Sequence, residues 1–227
     1  LEQSLPIYQE LKDRQGEAIV LNQLGCTCFS QGQYEKGIDA LRQSLPIWQE
    51  LKDREWEALV LHGLGRACLS QGQYEKGIDA LRQSLAIYQE LKDRKEEANV
   101  LNNLGNAYYN LGQYEKAINF FQQSLAIYQE LKDRKGEAYV LNNLGNAYDN
   151  LGQYERAINF YQQSLTVFRE LKDRKGEAYV LNNLGNAYDN LGQYERAINF
   201  YQQSLTVFRE LKDRKGEAYV LNNLGNA

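Results

Sequence analysis

The forty residues from Leu141 to Val180 recur letter for letter from Leu181 to Val220. Whatever fold one copy adopts, the next must adopt in the same frame, so the fold problem reduces to one forty-residue unit. The segment Leu101–Val140 differs from that unit only at Tyr109, Lys116, Phe121, Ala126, Ile127, Tyr128 and Gln129. Leu61–Val100 and Leu21–Val60 diverge further, and residues 1–20 and 221–227 are partial copies. A fixed period of this size marks a solenoid, in which each unit buries its apolar surface only by stacking on its neighbours. The register predicts one array over 1–227. It opens with a partial repeat at 1–13, continues with full repeats at about 14–53, 54–93, 94–133, 134–173 and 174–213, and closes with a partial repeat at 214–227.

Within one repeat, Ala138, Leu141, Leu144, Tyr148 and Leu151 fall at steps of three and four, the spacing of one helix face. Gly152 follows, able to take the positive φ that closes a helix C-terminus. A second periodic run places Ala157, Tyr161, Ser164, Phe168 and Leu171 on a seam with Ile158 and Leu165 beside it. The first run is called helix A and the second helix B. The pattern predicts that helix B is buried between neighbours while helix A keeps a free polar face. Asp173 is the expected N-cap of the next helix A, with Glu177 in its first turn, where a negative charge complements the helix dipole. Two short turns per repeat make an antiparallel pair. Gly145 and Ala157 are the expected points of close approach, offsetting the cost of about 1 kcal/mol for a glycine within a helix. Pro6 and Pro46 fall within helix B, where the ring removes a backbone bond and predicts a kink.

Lys and Arg number 26 against 30 Asp and Glu, a net charge of −4 with the signs interleaved. That balance leaves no basic stripe and argues against a nucleic-acid partner. No apolar run approaches the roughly 18 residues of a bilayer span, and no charged-then-apolar leader opens the chain. Three cysteines without framework spacing fit a reducing compartment, so the expected location is the cytoplasm and no membrane partner is expected.

Leu144-Gly145, Tyr148, Gly152, Tyr154, Ala157, Tyr161 and Ser164 together resemble the tetratricopeptide repeat (TPR) signature, and the match recurs in every repeat. The usual repeat of this family has about 34 residues, whereas here helix B runs on through Phe168-Arg169-Glu170-Leu171. The length resembles the extended subclass found in Leu-Gly-Asn-repeat spindle adaptors, kinesin light chains and many bacterial, especially cyanobacterial, regulatory proteins. The resemblance implies an all-α, right-handed superhelical solenoid of antiparallel helix pairs. It also implies a non-catalytic protein–protein interaction scaffold whose concave face binds an extended peptide.

Carried over residue by residue, that face holds Asn102, Asn103, Asn106, Tyr109 and Asn110, then Tyr139, Asn142, Asn143, Asn146, Asp149 and Asn150. It continues with Tyr179, Asn182, Asn183, Asn186, Asp189 and Asn190. A carboxamide both donates and accepts, so a ladder of them can grip a peptide backbone without reading charge. The alternative is an ordinary solvated face, although asparagine is a poor helix former and Glu or Lys would serve solvation better. On this reading Asn146→Ala leaves stability nearly intact and affects binding alone. Chaperone-binding relatives hold a C-terminal carboxylate with cations at the positions of Asn142 and Asn150. Those cations are absent, which discounts that mode. Tyr139, Tyr179 and Tyr219 stand where the spindle adaptors often carry basic residues, and tyrosine suits apolar or proline contacts.

The first repeats change the face, to Asn22, Gln23, Cys26, Phe29 and Ser30 and then to His62, Gly63, Arg66, Leu69 and Ser70. Arg66 is the one cation among these positions. It could anchor a carboxylate or be an ordinary exposed helix residue. Cys26, Cys28, Cys68 and His62 are metal-ligand types, but Cys28 and Cys68 replace the signature tyrosine and are expected in the core, so no metal or other cofactor is expected. His62 has no evident nucleophile–base–orienter partners, and no enzymatic activity is expected.

Two further readings remain open, a structural spacer or self-associating rod, favoured by verbatim copies, and a sensor segment of a larger signalling protein. Leu5, Ile7, Tyr8 and Leu11 at one end and Leu221 and Leu224 at the other are complementary halves of one interface. Head-to-tail association is therefore expected, the 214–227 helix of one copy packing near residues 1–12 of the next.

Overall fold

The computed structural model describes residue 1 and residues 3–226. Glu2 and Ala227, expected in the terminal partial repeats, lie outside the described residues. Among those described, twelve α-helices follow one another and no strand occurs. They fall into two compact units, Leu1–Leu111 and Gly112–Ala227. The first holds α1 (Leu5–Glu10), α2 (Arg14–Ser30), α3 (Tyr34–Glu50), α4 (Arg54–Ser70), α5 (Tyr74–Leu91) and α6 (Arg94–Asn110). The second holds α7 (Tyr114–Glu130), α8 (Arg134–Asn150), α9 (Tyr154–Glu170), α10 (Arg174–Asn190), α11 (Tyr194–Glu210) and α12 (Arg214–Asn226). Within each unit helix pairs such as α4–α5 and α10–α11 pack along their length, and each pair stacks on the next. This is an all-α solenoid of helix pairs.

The helix boundaries are written into each repeat. Asp13, Asp53, Asp93, Asp133 and Asp173 cap the A helices, each carboxylate accepting from the backbone N–H three residues on, as Asp173 does from Gly176 at 2.9 Å. Gly152 closes α8 with φ +72°, in the left-handed region glycine enters without steric cost. The other turn uses a lysine instead. Lys172 sits at φ +56°, and the turn closes as Asp173 N–H donates to Phe168 O at 2.9 Å.

Burial corrects the expected division of labour between the helices. In α10 the buried set runs Gly176, Glu177, Ala178, Val180, Leu181, Asn182, Leu184, Gly185, Ala187 and Tyr188. In α9, by contrast, Glu155, Arg156, Asn159, Gln162, Gln163, Thr166 and Arg169 are all exposed. Helix A is the packed element and helix B carries the broad solvated face. The polar residues of helix A had suggested exposure, but many are paired with the next helix A and need no water. Glu177 shows the same effect. It is buried, accepts from Arg169 Nε at 2.9 Å and pairs with Arg174, whose other nitrogen reaches Glu210 at 2.5 Å. A residue expected to complement a helix dipole is thus the centre of an ion bridge joining α9, α10 and α11.

The prolines do not break their helices. Pro6 lies in the first turn of α1, where its missing N–H is tolerated. Pro46 lies inside α3, which runs uninterrupted over 17 residues, as α7, α9 and α11 do, with the ring exposed to solvent. Gly145 is a point of close approach, since a Cβ there would run into the Tyr161 ring. Ser164 Oγ adds a bond across the pair, donating to Ala138 O at 2.8 Å.

Candidate peptide-binding groove

The A helices of the second unit carry their carboxamides in register. Asn183 Nδ2 of α10 donates to Asn142 Oδ1 at 3.0 Å and to Asn146 Oδ1 at 3.1 Å, both on α8. One repeat on, Asn223 Nδ2 of α12 donates to Asn182 Oδ1 at 2.9 Å and Asn186 Oδ1 at 3.2 Å. Helix B contributes a second donor, as Tyr161 OH reaches Asn146 Oδ1 and Tyr201 OH reaches Asn186 Oδ1, each at 2.8 Å. Asn190 Nδ2 donates to Asp149 Oδ1 at 3.3 Å, while burial raises the Asp149 pKa. Asn182 is only 1% exposed, with Nδ2 unpaired in the packed interior. Asn143 and Asp189 are half-buried and Asn150 is exposed.

These pairings correct the expectation that Asn146 is dispensable for stability. Its oxygen accepts from two elements, so truncation removes bonds that hold the stack. The structure brings Asn142, Asn146 and Asn183 together, and much of their carboxamide capacity is spent between repeats, which the sequence register does not show. Tyr139 and Tyr179 are partly exposed and lean edge-on against Phe168 and Phe208, with ring centroids 5.1 and 5.2 Å apart.

In the first unit the same face opens into a cavity of about 710 Å³ spanning α2, α3, α4 and α6. Asn103, Asn106, Asn110 and Arg66 line it, so these expected site residues are brought together. Asn102 and Tyr109 are half-buried on α6 and do not line it. Asn22, Cys26, Phe29, His62, Gly63, Leu69 and Ser70, singled out as departures from the repeat, line it too. Trp56, Leu59, Tyr34 and Leu41 complete its apolar wall. The signal for Trp56 was present in the register, since it stands where Gly16 and Gly136 stand in other repeats and stacks on Trp48 at 5.0 Å.

Two polar groups lie deep in this wall. His62 is 8% exposed, and its Nε2 is 2.7 Å from Asn103 Nδ2, which donates to it. Burial, reinforced by Arg66, lowers the ring pKa to about 4. His62 Nδ1 is 3.7 Å from Glu96, within ion-pair range, but the ring is neutral at pH 7 and the contact carries no ion pair then. Asn22 is 7% exposed and neither its Oδ1 nor its Nδ2 has a hydrogen-bond partner. Cys28 and Cys68 are buried, and burial raises the Cys68 pKa, whereas Cys26 is exposed. Among the described residues no group of three or more His, Cys, Asp or Glu is placed to hold a metal ion.

The tetratricopeptide repeat family model matches residues 17–90 and 96–170, and a second model of that description matches 178–210. The chain belongs to the tetratricopeptide repeat family. Several solved structures resemble it in fold. BtubC (BKLC) from P. vanneervenii is 20% identical with a TM-score of 0.80, over 93% of this chain and 89% of that one. Nearly identical TPR-like repeats from Podosopora anserina, described as a candidate kinesin light chain, are 20% identical with a TM-score of 0.72, covering 85% of this chain and 95% of that one. A signal transduction ATPase with numerous domains from Pyrococcus horikoshii, which has a tetratricopeptide repeat sensor, is 18% identical with a TM-score of 0.82. That match covers 98% of this chain and 34% of the ATPase. At these identities the likeness is one of fold. No curated protein matches the sequence significantly. No helix among the described residues is long and apolar enough to cross a membrane.

Proposed function

We propose that this TPR chain is a non-catalytic scaffold of the cytoplasm, its repeats forming one array that holds an extended peptide segment of a protein partner along the helix A face. The observation that carries this reading is the cavity of about 710 Å³ across three successive A helices, walled by apolar side chains and edged by Asn103, Asn106, Asn110 and Arg66. Concave sites with apolar walls and a few convergent polar groups are where ligands bind. The interleaved charge supports a protein partner over nucleic acid, and the free cysteines support a reducing compartment. In the second unit Tyr139 and Tyr179 are exposed on their A helices, while Asn142, Asn146 and Asn183 support that face from beneath.

The test is selection of random heptapeptides on the full chain, with hydrogen exchange mapping of the bound region. Protection on α2, α4 and α6 is expected, together with loss of binding on Leu69→Asp. Protection confined to the B helices, or no peptide selected, refutes the reading. A second reading, self-association, is favoured by the exposure of Ile7, Leu11 and Leu221. Sedimentation equilibrium that shows a monomer at all concentrations removes it.

A further inference from the structure

Across each pair of successive A helices that carries the ladder, one donor recurs with constant spacing. Asn183 donates to Asn142, Asn223 to Asn182 and Asn103 to His62, in each case from 41 residues further along the chain. Applied to Asn22, the same spacing lands on Gly63, which has no side chain. The rung is missing. Its absence explains why Asn22 Oδ1 is unpaired although Asn182, at the equivalent position, has its oxygen satisfied. The carboxamide absent at Gly63 leaves its volume to the cavity, which both residues line. The other acceptor of a rung, Asn146 in the second unit, is replaced here by Cys26.

Resting on the scaffold reading of this face, we infer that the cavity is a specificity pocket for a carboxamide side chain, a Gln or Asn of the bound segment, which enters over Gly63 and takes the place of the missing rung. Asn22 is 93% buried from solvent by its 7% exposure and presents both an unpaired acceptor and an unpaired donor. Asn182 keeps an unpaired Nδ2 even with its rung in place, so the group left open by the missing rung is the Asn22 Oδ1, which needs a donor such as an amide N–H and cannot take a carboxylate. A cation is disfavoured by Arg66 on the same wall. A side-chain amide rather than a backbone one fits because the missing group is itself a carboxamide on a single carbon. Leu59, Leu69 and Phe29 then receive an apolar neighbour of that Gln or Asn.

The substitution Gly63→Asn tests this by restoring the rung from within. A Cβ there would lie 3.1 Å from Leu41 Cδ1, the mobile end of a side chain that can yield by a few tenths of an ångström. Heptapeptides selected on the unmodified full chain are titrated against it and against Gly63→Asn, with Trp56 fluorescence reporting occupancy. Selected peptides are expected to carry Gln or Asn beside an apolar residue. They should weaken at least about ten-fold on Gly63→Asn and on Gln→Glu or Gln→Met in the peptide, because a site built for hydrogen bonds rejects groups that leave it unpaired. Without ligand, Gly63→Asn should raise the melting midpoint by about 2–4 °C, the effect of one added hydrogen bond in a chain of this size. If Gly63→Asn fails to fold, Asn22→Leu carries the test, removing the unpaired amide at similar volume and abolishing the Gln or Asn preference. Peptides rich in Asp or Glu that depend on Arg66 and ignore Gly63→Asn would overturn the inference in favour of a carboxylate site. Binding indifferent to Gln→Met would overturn it in favour of backbone recognition. In both of those outcomes the scaffold reading survives, whereas failure to select any peptide removes both.

Discussion

The hydrogen bonds on Asn186 make truncation of this residue a test of whether the ladder holds the repeats together. Its Oδ1 accepts from Tyr201 OH at 2.8 Å and from Asn223 Nδ2 at 3.2 Å. In Asn186→Ala, Asn223 keeps its bond to Asn182 at 2.9 Å, but the hydroxyl of Tyr201, which is 2% exposed, loses the acceptor the structure gives it. An unpaired buried hydroxyl costs about 1–3 kcal/mol. Replacing asparagine by alanine in a helix returns up to about 0.7 kcal/mol. The expected net loss is about 1–2 kcal/mol. Tyr201→Phe removes the donor instead and should cost about 0.5–1.5 kcal/mol. The double variant should cost less than the sum, with a coupling of about 1 kcal/mol, because once the hydroxyl is gone Asn186 has less to lose. Urea denaturation followed by circular dichroism gives the four stabilities. Since repeat arrays can unfold in parts, hydrogen exchange across α10 and α11 gives the local value. Additivity of the two substitutions within about 0.3 kcal/mol would refute the claim that this pair bears on stability, and a stable Asn186→Ala would return the asparagines to the role of a solvated face.

Leu184, fully buried in α10, should lose about 2–5 kcal/mol on Leu184→Ala, and a thermal midpoint equal to that of the unmodified chain would contradict the repeat packing. Gly185→Ala sets a helix-propensity gain of about 1 kcal/mol against a Cβ driven into the Tyr201 ring, a clash worth about 1–3 kcal/mol, so its melting midpoint should fall. Burial holds the Tyr201 pKa up at about 12 against an ordinary 10. The unfolded chain therefore releases that proton first, and stability present below pH 10 should be lost as pH rises through 12, in step with phenolate absorbance. His62 shifts the other way, from 6.5 to about 4. Stability present above pH 6.5 should fall as pH drops toward 4, and an NMR titration showing the ring protonated near pH 6 would refute the buried placement.

The period of forty residues, the Asp caps and the apolar spacings of Ala138, Leu141, Leu144 and Tyr148 are local facts, and they sufficed for the two helices of each repeat, their turns and the family. They also brought Arg66, Asn103, Asn106 and Asn110 onto one face, because helical periodicity alone decides which side chains share a side. What they left undecided is where each polar group finds its partner. Asn142 and Asn183, or Glu177 and Arg169, meet only once one repeat is laid on the next, and a polar residue satisfied by its neighbour looks the same in sequence as one satisfied by water. For that reason helix A read as solvated and proved to be packed. The significance of Gly63 arises in the same way. Within its own helix it is merely a poor helix former, and only the spacing of the ladder across the stack turns it into a vacancy above Asn22.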